Sequence, residues 1–138
     1  MTSLADFLFP VPARRSVPGI VGWWERRRLA YNAFVGTSGL VTLAVVTTLQ
    51  ALPPFSSPFF IPPWQPIVLY GIGANVLYTL GPAIEIAAEK LWRGEVLPIG
   101  PALYRMGLTF AVGLTLFPAL LISLVWVVAV VASVVVGI

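Results

Sequence analysis

A chain of 138 residues in which 59% are apolar and only 9% charged, with a net charge of +3, is built for a lipid solvent rather than water. Its mean hydropathy is +0.96, and a soluble domain of this size could not hide that much apolar surface. There is no cysteine and no histidine, which excludes disulfides, thiolate or imidazole metal sites, c-type haem attachment and histidine-ligated pigments; no cofactor is expected by ligation, and lipid, pigment or quinone could be held only by packing.

Residues 1–22 read as a cytoplasmic interfacial arm. The apolar stretch LADFLFP precedes the basic pair Arg14–Arg15 instead of following it, and it contains Asp6 and Pro10, so it is not built like a signal peptide. The entry GWWERRRLAY follows. Trp23 and Trp24 with Arg26, Arg27 and Arg28 suit a membrane–water boundary, indoles at headgroup level and guanidinium groups among phosphates; a specific site for lipid or a partner is the lesser reading. A nucleic-acid surface would need a broader solvated basic face, and none is expected.

The first span is expected over 23–52. Asn32, Gly36, Gly39, Leu43, Thr47 and Gln50 recur every three or four residues, which predicts one buried helix face. The connection at 53–66, with its prolines, Phe55, Phe59, Phe60 and Trp64, carries no charge and is expected to lie flat on the outer interface or against a partner.

The second span is expected over 67–89. Gly71, Asn75, Tyr78, Gly81 and Glu85 follow at intervals of four, three, three and four, a line of close-packing glycines and polar groups. Glu85 is the acidic group of this stripe. It has two readings, an intramembrane carboxylate that handles protons or ions, and a structural partner for an arginine near the helix end; the second is favoured because Glu89 and Lys90 follow one turn later.

Residues 90–103 read as a cytoplasmic loop, with Trp92 as a further interface anchor, and 104–138 as a third span with an overlong apolar end. Gly107, Ala111, Thr115 and Pro118 predict its packing face. An alternative threading reverses the chain near Pro118 and makes a fourth short crossing. All eight basic residues, Arg14, Arg15, Arg26, Arg27, Arg28, Lys90, Arg93 and Arg105, fall on one side of this threading. The N-terminus is therefore expected in the cytoplasm and the C-terminus outside, in a bacterial inner membrane.

The run WWERRRLAYNAFVG followed by NVLYTLGPAIE resembles a group of small, uncharacterised bacterial integral membrane proteins with a W-W-E-x-R-R-L-x-Y-N-like entry to the first helix. The resemblance implies a small integral membrane protein and brings no catalytic residues. No nucleophile with an adjacent base can be assembled from the sequence, so an enzyme is not expected. The expected role is a non-catalytic accessory subunit among other integral membrane subunits and lipids, in a bioenergetic complex, photosynthetic slightly favoured over respiratory. The alternative is a small oligomeric transporter or channel in which Asn75, Tyr78 and Glu85 line a path and the Gly81–Pro82 pair interrupts a helix.

Overall fold

The computed structural model describes residues 16–56, 63–92 and 99–137. They form three helices, α1 (Val17–Ala51), α2 (Trp64–Leu91) and α3 (Gly100–Val136). At 35, 28 and 37 residues, each is long and apolar enough to cross a membrane. The chain is an all-α, multi-pass membrane protein.

The helix ends follow local chemistry. α1 begins six residues before the expected span, because Ser16 caps it by accepting a hydrogen bond from the Gly19 amide at 3.2 Å and Pro18 sits in its first turn. The end of the supposed arm is thus helix, and 1–15 lie outside the described residues. α2 likewise takes in Trp64, Gln65 and Pro66 from the expected outer loop, since a proline in the first turn removes a donor that has no partner there. Pro101 plays the same part at the start of α3, which claims 100–103 from the expected cytoplasmic loop. α3 ends at Gly137, whose φ of 71° is the left-handed conformation that glycine adopts without strain.

α3 runs unbroken through Pro118. The fourth crossing is therefore absent among the described residues. α2 is equally continuous through Pro82. In both helices the missing amide donor costs one bond of the ladder, and the flanking turns hold the helix together.

Most of the interhelical contact is between α1 and α3, while α2 touches both over a shorter length. The Thr42 hydroxyl donates to the Thr115 carbonyl at 2.7 Å and fixes the axial register of α1 against α3. By that register Ala51 stands level with Leu124, and the turns up to Val136 extend about 18 Å beyond the end of α1. Pro53, Pro54 and Ser56 lie beside Val130, Ser133 and Val136. The overlong end is flanked there on one side, and Val134 and Val135 remain exposed.

The buried face of α1 is Ile20, Trp24, Tyr31, Val35 and Ser38. This corrects the expected face. Asn32 and Gly36 lie one position round the helix and are exposed, and Gly39 is only half-buried. The large rings take this face because the Trp24 N–H and the Tyr31 O–H find partners on α2 and the rings pack against Tyr78.

Candidate functional site

The site lies where the N-terminal part of α1, the C-terminal half of α2 and the first turn of α3 meet. Trp24, on the buried stripe of α1, turns its indole towards α2. Its ring occupies the space where a side chain at Gly81 would stand, since a β-carbon there would collide with three atoms of the indole. The Trp24 Nε1–H donates to Oε2 of Glu85 at 2.7 Å, and Glu85 is only 3% exposed. The carboxylate in turn rests against Gly100, the buried first residue of α3, where a β-carbon would collide with it. Two glycines and one carboxylate thus tie three helices at one point. The carboxylate faces the start of α3, the positive end of that helix.

A layer of aromatic rings packs around this tie. Trp24 lies edge-on to Tyr78 at 5.4 Å and to Tyr104 at 6.1 Å, and Tyr31 tilts against Tyr78 at 4.6 Å. Hydroxyls in the layer close backbone groups. Tyr78 donates to the Trp24 carbonyl at 2.7 Å and Tyr31 to the Ala74 carbonyl at 3.3 Å. Such bonds between helices matter where no water competes for the donor.

Beside the rings runs a polar row. Arg28 pairs side-on with Glu25 through Nε at 2.9 Å and Nη2 at 2.7 Å, and its guanidinium lies over the Tyr78 ring. Its Nη1 reaches Asn75 Oδ1 at 3.5 Å. The Asn75 amide donates to Asn32 Oδ1 and to the Gly71 carbonyl, both at 3.0 Å. Arg27 covers the Trp23 ring at 3.7 Å and donates to the Trp23 carbonyl at 3.2 Å. Arg26 is exposed.

Further along, Tyr70 donates to the Ala111 carbonyl at 3.3 Å and meets the Thr115 hydroxyl. Two open grooves flank α2. One, of about 480 Å³, lies between α2 and α3 and is lined by Tyr70, Leu77, Gly81, Tyr104, Gly107 and Phe110 among others. The second lies between α1 and α2.

The structure sorts the expected residues by what they touch. Tyr78, Gly81 and Glu85 come together as the stripe on α2 implied, with Ala74 and Ala88 completing that face. Ala111 and Thr115 are buried, while Ala119 takes the place expected of Pro118. Gly39 sits 3.8 Å, at its would-be β-carbon, from Thr115. Gly36, Gly71 and Gly107 have nothing within 4 Å of that position. They do not bring helices of this chain together; they widen the grooves.

Trp24 is corrected most. At 2% exposure it is no lipid-facing anchor, because its ring fills the space over Gly81 and its N–H finds a carboxylate. Trp23 is half-buried, and Trp64 and Trp92 are exposed. Arg28 pairs with Glu25, and the Trp24 indole is a donor to Glu85 that the sequence did not announce. Sequence reasoning missed Ile20, Trp24 as a core residue, Gly100 and Tyr104. The interval of four from Ile20 to Trp24 and of seven from Trp24 to Tyr31 was the available signal for the first two.

No family model matches the chain, and no curated protein or solved structure proves similar to it. Its own geometry carries the functional reading.

Proposed function

We propose that the chain is a non-catalytic accessory subunit of a larger integral-membrane assembly, with bioenergetic complexes, photosynthetic before respiratory, as the hosts to test first. The observation that carries this reading is α3. At 37 residues it is about 55 Å long, against a hydrocarbon core of about 30 Å, and only 6% of its membrane window is buried within the chain. Apolar turns that extend past the core are poorly solvated unless another protein covers them.

The transporter reading draws less support from the same residues. Tyr78 is buried with its hydroxyl on the Trp24 carbonyl, Asn75 bonds to Asn32 and Gly71, and Glu85 holds the Trp24 indole. Side chains that fix helices to one another are poorly placed to exchange partners with a passing ion. The continuous α2 also lacks the interruption that such sites use.

The test is purification from the native membrane in mild detergent. The full chain should co-migrate with other membrane subunits, and removal of residues 127–138 should release it. A homo-oligomer alone, with ion flux in vesicles that Glu85→Gln abolishes, would overturn the reading.

A further inference from the structure

We propose that the cleft between α1 and α2 binds one anionic glycerophospholipid, with its phosphate at Arg28 and an acyl chain laid along the cleft towards Leu43. This does not depend on the accessory-subunit reading.

The cleft has two stretches that share Gly71 and Asn75. The first, of about 590 Å³, starts at Arg28 of α1 and runs along the α2 face formed by Val68, Ile72 and Val76. The second, of about 420 Å³, carries on past Asn32 and Gly36 to Leu40, Leu43 and Ile67. Its width comes from Gly36 and Gly71, which face each other across it with no heavy atom within 4 Å of a β-carbon position. On α1 the distance from Arg28 to Leu43 is about 22 Å, enough for a chain that crosses one leaflet of about 15 Å.

The head of the cleft has the chemistry of a phosphate site. Glu25 occupies Nε and Nη2 of Arg28, and among the described residues Nη1 meets Asn75 alone, at 3.5 Å. One edge of the guanidinium therefore keeps donors for a further acceptor, and guanidinium suits phosphate oxygens. Arg26, Arg27 and Arg28 stand against the single Glu25, a local excess of 3 − 1 = +2 over residues 25–28. That charge complements an anionic headgroup.

The depth agrees. The arginines follow the Trp23–Trp24 pair and precede the apolar run that begins at Leu29. Aromatic and basic residues at one level mark the headgroup region, and the cleft leads from there into the apolar part of the bundle. Two polar groups, Asn32 and Asn75, lie just past Arg28, where the ester carbonyls of a glycerolipid would come.

The experiment is native mass spectrometry of the full chain in detergent, titrated with dioleoylphosphatidylglycerol and, separately, with dioleoylglycerol. We expect one saturable adduct with the phospholipid and binding at least about tenfold weaker for the diacylglycerol and for Arg28→Gln. Gly71→Leu should abolish the adduct by filling the cleft, while Gly113→Leu, on an open part of α3 outside it, should leave it unchanged. Thermal unfolding is followed in parallel, and Gly36→Leu, on the opposite wall, replaces Gly71→Leu if that variant does not fold. Unsaturable adducts indifferent to Arg28 and Gly71, equal uptake of the diacylglycerol, or a second copy cross-linked through Gly71 in place of lipid would each overturn the proposal.

Discussion

The indole nitrogen of Trp24 lies 2.7 Å from Oε2 of Glu85, across 61 residues of sequence. The bond joins the residue that introduces the arginine triplet on α1 to a carboxylate lodged at the foot of α3. Glu85 thus stands on the N-terminal side of Arg28 on α1 and of Arg105 on α3. It belongs to the basic end of the bundle and not to its apolar middle.

Trp24→Phe keeps the ring and removes the donor. A buried carboxylate that loses a hydrogen bond costs about 1.5–3 kcal/mol, so the thermal midpoint in detergent should fall clearly. Glu85→Gln should cost less, since its amide oxygen still accepts from the indole. A double-mutant cycle of Trp24→Phe with Glu85→Ala, which removes the acceptor, measures the coupling; strictly additive losses would mean that the bond contributes nothing.

Gly81 and Gly107 should part company. At Gly81 even alanine must displace the Trp24 ring, and overpacking of this kind costs about 1–3 kcal/mol. At Gly107 alanine meets open space and should stabilise the isolated chain by up to about 1 kcal/mol through helix propensity. Circular-dichroism melts of both variants decide, and equal damage would contradict the packing described for Trp24.

The Tyr70 hydroxyl is shared between the Ala111 carbonyl and Thr115. Tyr70→Phe should lower stability by about 0.6 kcal/mol, the scale typical of hydrogen bonds between membrane helices. Thr115→Val should lose a similar amount and couple to it. Denaturant titration in mixed micelles gives both values, and a neutral Tyr70→Phe would remove this bond from the account of how α2 is held.

The charge pattern sets the expected sidedness. Reporter fusions after Trp92 should give a cytoplasmic signal and fusions after Ser56 an external one, because the basic residues flank one side of the threading. The reverse pattern would invert the orientation and with it the leaflet that supplies a lipid to Arg28.

Three spans were legible because hydropathy and length are properties of a local window. The stripe Tyr78–Gly81–Glu85 was legible too, since its spacing alone places it on one face of a helix. Periodicity does not say which of two adjacent faces turns inward, and on α1 the rings of Trp24 and Tyr31 drew burial one position away from the small residues. Nor does a glycine announce its role. Gly81 admits an indole, Gly100 admits a carboxylate, and Gly36, Gly71 and Gly107 stand beside open grooves, a difference set entirely by the side chain that a neighbouring helix brings opposite. Whether a tryptophan meets lipid or a buried carboxylate depends on residues 61 positions away, and only the packed bundle brings them within reach.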